Sequence, residues 1–285
     1  MKKSARIILL LLVVLLLGGL AWLVFTVQEA AGIDPKLLAA VRGSSISAED
    51  IKTFREMGTN IVPSLRIMIR TYDSPLKIKL KQIAVKLHLA KPPAYTPAEL
   101  HWAAKTVCEV LDGGVRTQLV PDWIYLVEHG DQQDQYDAFS AQLFAVGPEA
   151  VQPLLDALNS RNPHVREFAA GAIRIPSRAD VIIPALLPKL KDPDDVVRGV
   201  TMLTLVHLRP DPETVVPLFA AALSDPSALV RCDACNALRS LAPYSKQAVP
   251  DLVKCLKDPD PNVRKLAADA LYLIDNEEAT KAGVK

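Results

Sequence analysis

Cysteine is the residue type whose spacing in this sequence comes closest to a chemical motif. Cys232 and Cys235 form a C-x-x-C pair, and Cys255 follows in the next predicted helix. Redox or metal chemistry requires thiolates that converge at a helix end or in an electropositive position. Both residues of the pair are predicted to lie inside one helix, so we favour buried thiols. A disulfide bond, which an oxidising compartment would favour, and a metal or redox site remain as alternatives.

The other residues with catalytic or ligating potential form no motif. The five histidines lack the short spacings of metal ligands, and we expect them at the surface or at helix ends (His88, His101, His129, His164 and His207). The sequence contains no glycine-rich phosphate loop, nucleophile elbow or paired-carboxylate motif. It therefore predicts a protein that is not an enzyme and that has no metal or cofactor site.

A repeated sequence pattern, which we call the phrase, organises the second half of the chain. Its mark is a Val-Arg pair that recurs four times, with successive arginines 32, 33 and 33 residues apart (Arg166, Arg198, Arg231 and Arg264). A leucine stands eight residues before each arginine, and an aspartate followed by proline stands six residues before the last three (Asp192, Asp225 and Asp258). Self-similarity at a period of about 30 residues is typical of a solenoid, in which each copy packs against its neighbours.

Each copy is predicted to form two helices joined by a tight turn. In the last copy, apolar residues from Leu252 to Leu256 line the first helix, and the turn runs through residues 258–261. Asp260 is expected to cap the second helix, whose buried residues recur at helical spacing (Val263, Ala267, Ala270, Leu271 and Ile274). One such pair of helices buries too little apolar surface to be stable alone, so we expect the copies to stack.

The phrase resembles the HEAT repeat in its short bacterial form, over about residues 59–275 and most strongly over 147–275. The resemblance implies an all-α fold, a right-handed α-α superhelix of the HEAT-like or armadillo type. In that family, the turn aspartate and the arginine that follows it form a ladder of hydrogen bonds between adjacent repeats. The copy at 158–175 has Ser160 in the aspartate position, so its rung lacks the carboxylate. The resemblance assigns this structural role to Asp192 with Arg198, Asp225 with Arg231, and Asp258 with Arg264.

An uncharged apolar segment lies near the N-terminus. Residues 7–27 contain no charged side chain over 21 positions, enough for a helix to span the roughly 30 Å hydrocarbon core of a bilayer. Lys2, Lys3 and Arg6 precede the segment, so the positive-inside rule predicts a cytoplasmic N-terminus and an extracytoplasmic solenoid. The alternative is a cleaved signal peptide with its site at residues 19–21, which would give a secreted protein.

The sequence predicts six consecutive regions. They are a basic cytoplasmic stub, a transmembrane anchor, a tether, degenerate HEAT-like repeats, four regular HEAT-like repeats and a polar tail (residues 1–6, 7–27, 28–46, 47–146, 147–275 and 276–285). Within the degenerate repeats, we expect a capped helix at residues 47–57 and buried side chains at Leu65 and Ile69. A further helix that starts after Thr96 is expected to end at Gly113-Gly114.

Charge is balanced overall but unevenly distributed. The net charge of +1 gives no global electrostatic case for a nucleic-acid partner. Residues 66–91 carry seven basic side chains and one acidic one, whereas residues 117–160 carry seven acidic side chains and no lysine or arginine. Such runs are usually solvated faces of amphipathic helices. The alternative is that the basic helix contacts anionic lipid headgroups or an acidic partner.

The HEAT resemblance, together with the apolar N-terminal segment, predicts a non-catalytic, membrane-anchored scaffold that binds a partner protein. In HEAT-like stacks the second helices line the concave side. Positions one, five and eight after each arginine should escape the buried stripe. The hypothetical partner-binding residues are Glu167, Arg174, Asn236, Arg239, Lys265, Asp269 and Tyr272.

The same resemblance leaves two alternatives from other classes. HEAT-like repeats occur in bilin lyases, which are enzymes, and in DNA glycosylases, which bind nucleic acid along a basic groove. Export from the cytoplasm disfavours both alternatives. The confinement of the basic run to one degenerate copy further disfavours binding of nucleic acid.

Overall fold

The chain divides into two compact units, Met1–Phe144 and Ala145–Lys285. Every regular element in the described part of this computed structural model is a helix, in agreement with the all-α prediction. The predicted anchor at residues 7–27 lies outside the described residues, and no helix within them is both long and apolar enough to cross a bilayer. The structure describes residues 33–35, 37, 47–70, 97–111, 113–130, 135, 138 and 146–284.

The described part of the first unit contains α1 to α5. Helix α2 packs against α3 and α5, and α1 packs against α3. Leu65 and Ile69 of α2 are completely buried, as the sequence predicted, and Leu126 of α5 is buried as well. The bounds are α1 (Ala48–Met57), α2 (Val62–Arg70), α3 (Pro97–Val110), α4 (Gly113–Gln118) and α5 (Val120–His129), with a 3-10 turn at Gly58–Ile61.

The ends of α1 follow from its sequence. The Ser47 hydroxyl accepts a hydrogen bond from the amide of Asp50 at 3.1 Å, and the Asp50 carboxylate accepts one from the amide of Ser47 at 2.9 Å. This capping box satisfies two amides that the helix itself leaves without acceptors. Gly58 ends the helix with a φ of +52°, a conformation that costs glycine little. The predicted helix at 47–57 is confirmed.

The predicted end of the helix that starts after Thr96 is wrong. Helix α3 ends at Val110, and Gly113-Gly114 form the first turn of α4 instead of the last turn of α3. Glycine is tolerated at a helix start because the first amides have no intrahelical acceptor to lose. The glycine pair therefore lies next to a break between two helices, and it begins the second helix instead of ending the first.

The second unit contains four consecutive pairs of helices, which coincide with the four regular copies of the sequence phrase. The first helices of the pairs are α6 (Val151–Ala157), α8 (Ala179–Leu186), α10 (Pro212–Ala222) and α12 (Val249–Cys255). The second helices are α7 (Pro163–Ala172), α9 (Asp195–Leu208), α11 (Ala228–Ser240) and α13 (Pro261–Ile274).

The second helices pack more closely against one another than the first helices do, in the order α7, α9, α11 and α13. Small residues permit this approach, and Ala170, Ala234 and Ala267 have no exposed surface. The buried Thr204 hydroxyl on α9 donates to the carbonyl of Ala170 on α7 at 2.8 Å, so the close packing leaves this polar group satisfied.

Aspartate caps begin two of the four second helices, α9 and α13. The Asp194 carboxylate accepts two amide hydrogen bonds of 3.1 Å in the first turn of α9. The Asp260 carboxylate does the same in α13, at 2.7 and 3.2 Å. The predicted cap at Asp260 is confirmed. These caps fix where α9 and α13 begin and hence where their arginines lie.

The region predicted as a frayed polar tail, residues 276–285, begins with a short helix, α14 (Asn276–Lys281), so that prediction is wrong. Asp275 caps α14 by accepting from the amide of Glu278 at 3.1 Å. Ala279 is completely buried, and α14 packs against α13. Acidic residues in the first turn and Lys281 in the last suit the helix dipole, and one buried alanine suffices to hold the helix in place.

Candidate interaction surface

Arginine–aspartate pairs link consecutive helical pairs of the second unit. In each, the Nε and Nη2 atoms of an arginine donate to both oxygens of one aspartate, at 2.7–2.9 Å. This bidentate geometry is the strongest form of ion pair between side chains. The three arginine side chains are only 11–12% exposed. The pairs are Arg166 with Asp192, Arg198 with Asp225, and Arg231 with Asp258.

The remaining edge of each guanidinium binds the turn of its own copy. Nη1 of Arg198 donates to the carbonyls of Asp192 and Pro193, at 2.8 and 3.3 Å. The carboxylate of Asp192 also accepts from the amide of Asp194 at 3.0 Å, which orients it. Each arginine therefore joins the turn of its own copy to the turn of the next, and we call this series of pairs the ladder.

The ladder has a different register from the predicted one. The prediction paired Asp192 with Arg198, and likewise Asp225 with Arg231 and Asp258 with Arg264. Each carboxylate instead binds the arginine of the preceding copy, because the turn carbonyls of its own copy occupy the Nη1 edge and leave the other edge directed at the next copy. The copy with Ser160 consequently has a rung, in which Arg166 supplies the guanidinium.

Hydrogen bonds lower the pKa of two carboxylates of the ladder, those of Asp192 and Asp258. The hydrogen bond from Arg231 lowers the pKa of Asp258 below its ordinary value. Burial alone would raise the pKa of Asp192, but hydrogen bonds from Arg166 and from the amide of Asp194 outweigh burial and leave that pKa lowered. Both aspartates are thus anionic at neutral pH and remain paired with arginine.

The first unit contains a charged cluster of another kind. The completely buried Asp122 of α5 accepts from Nε of Arg66 at 2.9 Å and from Nε of Arg70, both on α2. The guanidinium of Arg70 lies 5.1 Å from the ring centre of Tyr125, which in turn stacks on His129 at 4.2 Å. The interpretation of the acidic run as a solvated face is therefore wrong at Asp122. We call Arg66, Arg70 and Asp122 the buried-aspartate cluster.

None of the seven hypothetical partner-binding residues is buried, and whether they contact a partner stays a prediction. Glu167, Asn236 and Arg239 are partly exposed. The other four are exposed, and Tyr272 retains 54% of its surface. All seven lie on second helices or directly after one, and the exposed four are Arg174, Lys265, Asp269 and Tyr272.

The sequence-based set left out two exposed apolar residues of the second helices. Leu203 is 41% exposed on α9 and lies five residues after Arg198, so the rule that selected the set already covered it. Leu273 is 60% exposed and follows Tyr272 directly on α13. An apolar residue at a position that the helical spacing predicts to be exposed, such as Leu203, could have indicated an apolar part of this surface. We call Leu203, Asn236, Arg239, Asp269, Tyr272 and Leu273 the second-helix surface.

Two half-buried carboxylates lie on second helices, Asp233 on α11 and Glu167 on α7. Burial raises the pKa of Asp233 on α11, and burial also raises the pKa of Glu167 on α7. Gly199 on α9 makes room for Asp233, because a Cβ atom at residue 199 would lie 2.2 Å from a carboxylate oxygen of Asp233. Glu167 has His164 at 3.7 Å.

The cysteines form free thiols. Cys235 and Cys255 are buried, and Cys232 is half-buried. Cys235 hydrogen-bonds with Cys255 and not with its C-x-x-C partner, and this bond and burial raise the pKa of Cys235. Within the described residues no group of His, Cys, Asp and Glu could hold a metal ion. His101 is completely buried inside α3, so the expectation of a surface or helix-end position is wrong for that histidine.

A cleft of about 560 Å³ lies at the C-terminal end of α9. Its lining includes Val206, which lies eight residues after Arg198, at the same position in its copy as Arg239 and Tyr272 in theirs. Arg209 ends α9 in the left-handed conformation with a φ of +54°. The full lining is Pro176, Val206, His207, Leu208 and Arg209.

Comparisons with known proteins agree with this architecture. The family described as HEAT repeats matches residues 215–282, which run from α10 to α14. The repeats of the second unit are HEAT-like. The comparison with curated proteins gives no match.

Solved structures with a similar fold include engineered repeat proteins. One engineered protein is 20% identical, with 90% of this chain and 80% of that chain covered and a TM-score of 0.42. A designed armadillo repeat protein is 16% identical, with 75% and 100% covered and a TM-score of 0.41. Another, solved in complex with the peptide (KR)4, is 16% identical, with 76% and 92% covered and a TM-score of 0.40.

Proposed function

We propose that this protein is a non-catalytic scaffold that residues 7–27 anchor in a membrane and that binds a partner protein outside the cytoplasm. Binding takes place on the second-helix surface of the HEAT-like unit. The ladder holds successive turns in a fixed register, so the side chains between them form a preorganised surface. Preorganisation lowers the entropic cost of association.

The observation that carries this proposal is the exposure of apolar side chains on the second helices. Large apolar residues are exposed at six positions of the described chain, and four of the six lie on second helices: Leu203, Leu229, Tyr272 and Leu273. Single exposed apolar residues are ordinary in soluble proteins. Here Tyr272 and Leu273 adjoin each other, and Asp269 lies one turn before Leu273 on the same helix. An apolar, aromatic-containing patch beside charged groups is the composition typical of a protein interface.

The proposed location rests on the sequence of the N-terminal segment. Its 21 uncharged positions suit a membrane span, and the basic residues before it favour a cytoplasmic N-terminus. A reporter enzyme that is active only outside the cytoplasm, fused after residue 285, tests this. Activity in intact cells is the expected result. Activity of a matched reporter that functions only in the cytoplasm would contradict the location.

Cross-linking in intact membranes, followed by identification of what is captured, tests the binding surface. We expect Arg239→Glu and Asp269→Lys to reduce capture of a reproducible partner by at least fivefold, since each reverses a charge within the surface. Tyr272→Ala should do the same by removing the aromatic group of the second-helix surface. Lys257→Glu is the matched control, because this exposed residue lies in the turn after α12, outside the second-helix surface. Equal capture by all four variants would overturn the surface assignment.

A further inference from the structure

The last arginine of the ladder repeats the geometry of the others on one of its two edges. Nη1 of Arg264 donates to the carbonyls of Asp258 and Pro259 at 2.7 and 2.9 Å. Arg231 makes the equivalent bonds to Asp225 and Pro226 at 2.9 and 3.1 Å. The guanidinium of Arg264 is therefore held in the same orientation as those that bind a carboxylate.

The other edge of Arg264 has no acceptor among the described residues. In the three preceding rungs, Nε and Nη2 bind an aspartate and the arginine side chain is 11–12% exposed. Arg264 is exposed and forms no ion pair in the described chain. Holding a guanidinium in place before its anion arrives reduces the conformational entropy lost on binding.

The surface next to this open edge is also less covered than in the other copies. The residue four positions after each arginine is almost completely buried in the first three copies, at Ala170, Met202 and Cys235. In the last copy this residue is Ala268, which is partly exposed. Residues four apart share one face of a helix. Arg264 and Ala268 therefore present a guanidinium edge and an apolar contact side by side. In the first three copies, the following copy covers both of these features.

Acidic groups near the end of the unit are already engaged. The Asp258 carboxylate binds Arg231, and the Asp260 carboxylate caps α13. Asp275 caps α14. Glu277 and Glu278 pair with Lys281, at 2.9 and 2.8 Å. An anion for Arg264 would therefore come from outside this set.

We propose that Arg264 and Ala268 form a docking site for an aspartate-bearing turn of a helical segment in the partner protein. The ligand chemistry is a carboxylate that an adjacent backbone amide orients, as the amide of Asp260 orients Asp258 at 2.9 Å. The site rests on the proposed function in that it names a feature of the partner. It consists of Arg264 and Ala268 of α13 and does not include Arg239.

A peptide from the chain itself is a suitable probe. It comprises residues 246–260 with blocked ends, so it contains the first helix and the turn that present Asp258 to Arg231. The full-length protein, labelled with ¹⁵N-arginine, is titrated with this peptide while the Nε–H resonance of Arg264 is followed. The resonance is assigned by its loss in Arg264→Lys. We expect saturable binding that shifts it.

Variants of both molecules decide the outcome. The Asp258→Asn peptide and the Arg264→Lys protein should each bind at least tenfold more weakly, and Ala268→Glu should abolish binding. Arg178→Lys, at an exposed arginine in the turn before α8, should bind as the unchanged protein does. Equal affinity for the unchanged peptide and the Asp258→Asn peptide, or no effect of Arg264→Lys, would overturn the proposal.

The same experiment separates this inference from the proposed function. Arg239→Glu and Asp269→Lys should leave peptide binding unchanged, because neither residue belongs to the docking site. If the peptide fails to bind while partner capture still depends on Arg239 and Asp269, only the docking site at Arg264 is wrong. If the peptide binds as expected while capture ignores those two variants, only the second-helix surface is wrong.

Discussion

The two units neutralise buried charge in different ways. The ladder uses one arginine for each aspartate, and the carboxylate lies on a turn, where a backbone amide contributes a further hydrogen bond. The buried-aspartate cluster uses two half-exposed arginines for one aspartate that has no exposed surface. The ladder repeats with the period of the chain, whereas the cluster joins residues more than 50 positions apart and occurs once in the described residues.

The difference shows what a repeated sequence provides. In the second unit a backbone amide of its own turn donates a hydrogen bond to each ladder aspartate and orients the carboxylate. A single arginine then supplies the counter-charge. In the first unit the carboxylate lies in the first turn of α5 and has no exposed surface, and the side chains that bind it are the two arginines of α2. Breaking the cluster should therefore be more costly than breaking one rung of the ladder.

The largest effect is expected from removing both arginines of the buried-aspartate cluster. Arg66→Met with Arg70→Met leaves the Asp122 carboxylate buried without a counter-charge, which costs about 3–5 kcal/mol of unfolding free energy. Urea unfolding followed by tryptophan fluorescence measures it. Tryptophan fluorescence reports on the first unit, because Trp102 and Trp123 lie in that unit and the second unit contains no tryptophan.

Lys52→Met is the control for that measurement. Lys52 is 78% exposed and contacts Glu56 at 3.9 Å, so its loss should change the unfolding free energy by less than about 0.5 kcal/mol. If the double variant unfolded at the same urea concentration as this control, Asp122 would not depend on the two arginines, and the contrast between the units would disappear.

An intermediate effect is expected in the ladder, where two arginines form a matched pair. Arg231→Met removes a bidentate partner of Asp258 and should destabilise the second unit by about 2 kcal/mol. Arg264→Met removes only the bonds to turn carbonyls and should cost about 0.5–1 kcal/mol. Far-UV circular dichroism during urea unfolding measures both. Equal losses would mean that the carboxylate contributes nothing to the rung.

A smaller effect is expected from acid. Because the pKa values of Asp192 and Asp258 are lowered in the folded state, their contribution is present above the unfolded value of about 4 and is lost as the pH falls through the folded values. The unfolding free energy of the second unit should therefore fall below about pH 4. Asp258→Asn should make this decline shallower. An identical decline in that variant would contradict the assignment.

Much of the second unit could be predicted from its sequence. The Val-Arg period located the four helical pairs, and the cap at Asp260 located the start of the last second helix. The exposure of Tyr272 and burial of Ala267 followed from helical spacing. These features are local, so residue type and spacing determine them.

The ladder register could not be predicted in the same way. Arg198 has an aspartate six residues before it, at Asp192, and another 27 residues after it, at Asp225. Sequence spacing does not distinguish a partner on the same turn from one on the next. The choice depends on which guanidinium edge the turn carbonyls occupy, and that is a three-dimensional property.

The first unit was predicted less well for a related reason. The contact of Arg66 with Asp122 joins two segments without a repeated spacing, so no periodic signal indicates it. The charge runs that contain these residues suggested solvated faces, because composition does not report burial. Helix α14 was missed because a short polar segment with a single buried alanine has little amphipathic pattern.

A double-mutant cycle on Arg198 tests the ladder register most directly. Arg198→Met is combined with Asp225→Asn in one cycle and with Asp192→Asn in a second, and unfolding free energies are compared. The structure predicts a coupling energy above about 1 kcal/mol with Asp225 and below about 0.5 kcal/mol with Asp192, whose side chain binds Arg166. A larger coupling with Asp192 than with Asp225 would contradict the register and, with it, the account of how consecutive copies are joined.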